Sequence, residues 1–181
     1  MLIDAEKSCL LVVDVQERLL PAIHESDRVV RNIGWLMQIA GELGVPILMS
    51  EQYPRGLGHT VAELRDLVPA EEIVEKIHFS CAASPECRRR LDVIGRQQIV
   101  VTGIEAHVCV LQTALGLLED GFEVYAVADA VSSRRAAAAE LAVERLRRDG
   151  VRVVGREMVA FEWLHQAGTD RFRDISKRFL R

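Results

Sequence analysis

Residues 8–14 read Ser8-Cys9-Leu10-Leu11-Val12-Val13-Asp14. An unbroken apolar run closed by a carboxylate is the pattern of a strand buried on both faces of a parallel sheet. Parallel strands need long crossovers, and the rest of the chain supplies them. Arg28 to Leu43 reads as a helix, with Asp27 placed to cap it and Gly44 to stop it. Val45 to Ser50 is a second strand, with Pro46 at its start. Further strands fall in Glu72–Lys76, Gln97–Thr102, Phe122–Ala128 and Val151–Val154. Helical patterns fill Pro85–Ile94, Ala106–Asp120 and Ser132–Asp149, with Gly121 and Gly150 at C-cap positions. The stretch after Met158 also reads as helical. The expectation is an α/β fold: a three-layer α/β/α sandwich around a mostly parallel six-stranded sheet, one domain over residues 1–181.

Composition narrows the function classes. A net charge of −4 lacks the basic footprint of a nucleic-acid binder. Arg88-Arg89-Arg90 and Arg147-Arg148 read as solvated helix faces. No segment approaches the roughly 20 apolar residues that span a bilayer, so no membrane role is expected. Met1 to Lys7 lacks a charged-then-apolar signal pattern, which points to the cytoplasm. Cys9, Cys81, Cys87 and Cys109 form no CxxC pair and no zinc spacing, so no metal and no cofactor is expected.

Ligands of open α/β sheets bind beyond the carboxyl ends of the strands. Asp14 closes the first strand, Glu51 follows the second, Lys76 closes the third, and Gly103 to Cys109 follows the fourth, with Asp129 after the fifth. A carboxylate ending a buried strand is costly unless paired or functional. A thiol where a strand gives way to a helix feels the positive end of the dipole, which favours the thiolate. A free cysteine is otherwise a small buried apolar residue. Lys76 beside the two would hold both charged.

Three motifs together resemble the isochorismatase-like cysteine hydrolases. Leu11-Val12-Val13-Asp14-Val15-Gln16 is similar to the family's first strand and its acid. Glu75-Lys76, with Phe79-Ser80 downstream, is similar to the lysine segment. Gly103-Ile104-Glu105-Ala106-His107-Val108-Cys109-Val110 is similar to the nucleophile segment, and Ala128-Asp129-Ala130-Val131-Ser132-Ser133 to a later recurrent stretch. The resemblance implies a Rossmann-like hydrolase fold and a catalytic set of Asp14, Lys76 and Cys109. It further implies a cis Ile104–Glu105 peptide and an oxyanion hole built from the backbone N–H groups of Glu105 and Cys109. It also implies a homo-oligomer, dimer or tetramer, with the C-terminal segment a candidate for exchange between subunits.

The family's nicotinamidases hold a metal through Asp-x-His after the second strand. Ser50-Glu51-Gln52-Tyr53-Pro54 lacks that motif. Isochorismatase proper lacks the cysteine, so Cys109 argues against vinyl-ether hydrolysis. Ser50 to Thr60 looks most like the isochorismatase domain-containing proteins. Pro54, Gly56 and Gly58 punctuate this stretch as a substrate loop. Gln16, Tyr53, Arg55, His59 and Phe79 are its candidate pocket residues, Arg55 as a partner for a carboxylate. His107, His78 and Trp35 read as structural. The expected activity is hydrolysis of a small amide, ureide or related C–N bond through a thioester. A partner-binding protein with a vestigial pocket, or a redox sensor using Cys109 with Cys81, are the alternatives.

Overall fold

The computed structural model describes residues 1–180. Strands are β1 (Ser8–Val13), β2 (Ile47–Gln52), β3 (Ile73–Lys76), β4 (Gln98–Ile104), β5 (Glu123–Ser132) and β6 (Arg152–Val154). Helices are α1 (Ser26–Leu43), α2 (Pro54–Leu57), α3 (Ala62–Arg65), α4 (Pro85–Ile94), α5 (Leu111–Glu119), α6 (Ala136–Arg148), α7 (Arg156–Leu164) and α8 (Asp170–Phe179). The sheet order is β3-β2-β1-β4-β5-β6. Every pairing is parallel, not merely most of them. Among the described residues no helix is long and apolar enough to cross a membrane.

The apolar run Ser8–Val13 sits at the centre of the sheet. β1 is buried along its whole length, between β2 and β4. Its side chains alternate between two cores, as a strand period of two requires. Leu10 and Val12 join Ile33, Leu36, Met37 and Ile39 of α1 on one face. Leu11 and Val13 join Leu91 of α4, Ala114 and Leu117 of α5, and Leu146 of α6 on the other. The chain winds outward from β1 to β3, then crosses back to lay β4 on the other side of β1. That reversal opens a crevice beyond the ends of β1 and β4.

Local boundaries differ from expectation in several places. β2 runs Ile47–Gln52, so Glu51 lies within it, and Asp129 lies within β5 and not after it. Asp27 does not cap α1: the helix begins at Ser26, with Glu25 at the cap in a left-handed conformation, and Asp27 lies inside the first turn. β5 runs on to Ser132, so α6 starts only at Ala136. Backbone pairing of Gly103 with Val131 and Ile104 with Ser132 extends that strand after a register shift, which local sequence pattern does not carry. The helix expected over 106–120 opens instead with a π turn, Ala106–Val110, before α5. Near the C-terminus, α8 folds back on its own α1. Ile175 is buried, the Trp35 indole donates to the Phe179 carbonyl at 2.8 Å, and Arg178 pairs with Glu42.

Candidate active site

Asp14 is the first residue past β1, and its backbone turns sharply there, with φ +53°. Asp tolerates this left-handed region better than most residues. The turn is closed by the Gln16 N–H donating to the Asp14 carbonyl at 2.8 Å. The carboxylate is fully buried yet not orphaned. Lys76 Nζ donates to Oδ2 at 2.6 Å, and Ser50 Oγ donates to Oδ1 at 2.7 Å. Neither side chain of the Asp14–Lys76 pair has any exposed surface. Two donors on the two oxygens suit the ionised form. Burial raises the affinity of Asp14 for a proton, against the pull of Lys76 and Ser50, which leaves it a stronger base than an ordinary carboxylate.

Lys76 reaches this point because β3 alternates. Val74 and Lys76 face the interior while Glu75 faces solvent. Its ammonium has an acceptor for each of its protons: Asp14 Oδ2, Gln52 Oε1 at 2.8 Å and the Phe79 carbonyl at 3.0 Å. Burial opposes the charge, but the negative groups around it, Asp14 first, hold the amine protonated above the ordinary lysine range.

Cys109 lies in the π turn, 6% exposed. The Ile104–Glu105 peptide is cis. The Glu105 carbonyl accepts from the N–H groups of Val108 and Val110, the residues on either side of Cys109. The Asp14 carboxylate and the Lys76 ammonium both act on the Cys109 thiol, and Cys109 in turn acts on Asp14, so the sulfur neighbours the buried ion pair. One expectation is corrected. The thiol is not acidified: burial, the Asp14 charge and Glu105 push it well above the ordinary cysteine range, and Lys76 only partly offsets them. The resting sulfur is therefore a protonated thiol beside a base.

The remaining candidates divide. A cleft of about 530 Å³ is lined by Tyr53, Arg55, Lys76, Ile77, His78 and Pro85, among others. His78 is thus exposed at the cleft and not structural in the way its sequence setting implied. The Phe79 ring is half exposed; it is the backbone carbonyl that serves the site. Gln16 is turned toward the backbone of its neighbours. Its amide is buried and spent on backbone, donating to the carbonyls of Gln52 and Gly58 and accepting the Gln52 N–H. His59 is held by Glu51 at 2.9 Å. Glu51 leaves β2 on the face opposite Ser50 and Gln52, so this pair turns away from Asp14. His107 bonds Ser133 Oγ at 2.8 Å. Asp129 ties α1 to α7, its carbonyl accepting from Arg28 and Asn32 and its carboxylate from the Arg156 N–H. Cys81 is fully buried, and the thiol that acts on it is that of Cys87, not Cys109. Among the described residues no group of three or more His, Cys, Asp or Glu gathers as a metal-ligand set.

Ser50 and Gln52 escaped the sequence reading as site residues. The signal was present: Leu48, Ser50 and Gln52 alternate along β2 on one face, which places two polar groups beside Asp14.

Residues 8–158 match the isochorismatase domain family. Isochorismatase domain-containing protein 1 of Danio rerio is 40% identical over 169 residues, covering 93% of this chain but only 59% of its own length. A structure described as the MAR1 ribonuclease of Caenorhabditis elegans superposes with a TM-score of 0.92 at 33% identity, over 100% of this chain and 93% of that one. The YcaC gene product of Escherichia coli, described as an octameric hydrolase of unknown specificity, has a TM-score of 0.88 over 99% of this chain and 91% of its own. At 21% identity that last likeness is one of fold.

Proposed function

The chain belongs to the isochorismatase family, and from that premise we propose that it is a cysteine-dependent hydrolase of small amides, ureides or related C–N bonds. The observation that carries the reading is the fully buried Asp14–Lys76 ion pair set against the Cys109 thiol at the sheet's switch point. Buried charge of this kind is retained where chemistry needs it.

The chemistry follows from the resting states. Cys109 Sγ attacks the substrate carbonyl carbon while its proton passes to Asp14. The oxyanion is held by the N–H groups of Glu105 and Cys109. As the intermediate collapses, the C–N bond breaks and Asp14 gives its proton to the departing nitrogen, leaving a thioester. Water then loses a proton to Asp14 and attacks the same carbon. The C–S bond breaks, the sulfur recovers the proton, and the acid product leaves. Lys76 transfers no proton; it fixes Asp14 and steadies the negative charge that moves between Asp14 and Cys109. Tyr53 and Arg55 line the cleft at Lys76 and would meet the substrate's outer part.

The test is turnover across amides and ureides by purified protein, with intact-mass detection of an acyl adduct. Cys109→Ala should abolish both without loss of fold. Undiminished turnover in that variant sinks the reading. The ribonuclease description of the C. elegans protein is met by incubating this chain with single-stranded RNA. The net charge of −4 supports a small substrate over a polyanion. The reading also includes the cytoplasm, where the free thiols stay reduced, and a homo-oligomer, which sedimentation velocity would measure.

A further inference from the structure

Gln52 transfers no proton in the proposed chemistry, yet its buried side chain is spent on the amine and its surroundings. Oε1 accepts from Lys76 Nζ at 2.8 Å, and Nε2 donates to the Ile77 carbonyl at 2.8 Å. The Ile77 carbonyl can only accept, so the amide orientation is fixed and the oxygen must face the ammonium. The Gln52 main chain is clamped in turn. Its N–H donates to Gln16 Oε1 at 2.7 Å, and its carbonyl accepts from Gln16 Nε2 at 3.0 Å. The second Gln16 proton goes to the Gly58 carbonyl at 2.7 Å. One pair of amides therefore joins the cleft loop to the amine.

We propose that Gln52, locked by Gln16, is a positioning residue for the Lys76 ammonium and through it sets how readily Cys109 gives up its proton. This rests on reading Asp14, Lys76 and Cys109 as the catalytic set. An ammonium with three acceptors has one orientation; with two it swings, and a buried N–H goes unpaired. A neutral acceptor also leaves Lys76 answering to a single carboxylate. A second carboxylate there would share the cation with Asp14 and add negative charge near the sulfur. The ionisable groups facing Cys109 are Asp14, Lys76 and Glu105, and Cys81 also acts on Lys76. Of these, Lys76 is the one Gln52 touches.

The experiment needs no substrate. The alkylation rate of Cys109 by iodoacetamide is followed against pH by peptide mass spectrometry, in the natural chain and in Gln52→Met and Gln52→Glu. Thermal unfolding is recorded in parallel. Both variants should move the Cys109 midpoint upward and slow alkylation near neutrality about fivefold, the scale of a weakened charge-assisted hydrogen bond. If Gln52→Met does not fold, Gln16→Leu, which frees the Gln52 main chain and adds no charge, decides: slowed alkylation there supports the proposal and an unchanged rate overturns it. A lower melting temperature with an unmoved midpoint makes Gln52 merely structural and overturns the proposal. Lys76→Met and Asp14→Asn separate the two levels: they should move the midpoint up and down, respectively. If they do so while the Gln52 variants do not, only the Gln52 role falls. If neither moves it, the catalytic set falls as well.

Discussion

Lys76 and Asp14 form a pair that can be broken from either side, with unequal results. Removing the amine strands a carboxylate in a dry site. Lys76→Met should cost about 3–5 kcal/mol of stability at neutral pH, read by urea denaturation. The cost should shrink in acid. Asp14 already has a folded-state proton affinity above its unfolded value. Losing Lys76 raises it further, so the stability it contributes is present while it is protonated and is lost as pH rises through the folded pKa. A variant equally destabilised at both pH values would contradict this account of the burial. Access decides thiol reactivity among the cysteines, since Cys109 alone has exposed surface while Cys9, Cys81 and Cys87 have none. Iodoacetamide should label Cys109 first, and its rate should still be climbing beyond the ordinary cysteine range, because burial and Asp14 hold the proton on. Position in the sequence singled out Asp14, Lys76 and Cys109 as candidates, since each ends or follows a strand. It did not reveal the protonation state of the sulfur, which depends on burial that no spacing records.

The crevice depends on how closely β4 approaches β1. At Gly103, φ is +115°, and a Cβ would lie 2.1 Å from the Val13 carbonyl oxygen. The neighbour is backbone and cannot move aside without parting the strands. Gly103→Ala should destabilise by on the order of 3 kcal/mol in denaturant titration and slow Cys109 alkylation, because the displaced segment carries the thiol. Stability and alkylation like those of the natural chain would show that the strands have room to spare. Elements bounded by local chemistry were legible: α4 begins after Ser84 with Pro85 and ends at Gly95, as its caps dictate. Elements bounded by tertiary pairing were not. β5 outruns its apolar stretch because β4 pairs with it again past the register shift, and the π turn at Ala106–Val110 replaces helix where the chain leaves β4.

Across the whole molecule, alternating apolar and amphipathic stretches disclosed a parallel sheet between two helical layers. The strand order lay outside that pattern, because the side to which each crossover turns is settled by packing. The two layers also separate stability from chemistry. α8 seals the α1 layer with Ile175, while Cys109 packs between the sheet and the layer of α4, α5 and α6. Ile175→Ala should cost about 2–4 kcal/mol in urea denaturation while leaving the Cys109 labelling profile unchanged. A shifted profile would mean that the two layers communicate. Because α8 ends beside Glu42, in the last turn of α1, the end of the described chain lies by the strand starts, at the pole of the sheet away from the crevice. A support, tag or fusion attached behind α8 would leave the opening free, so the immobilised protein should admit small molecules as readily as the protein in solution.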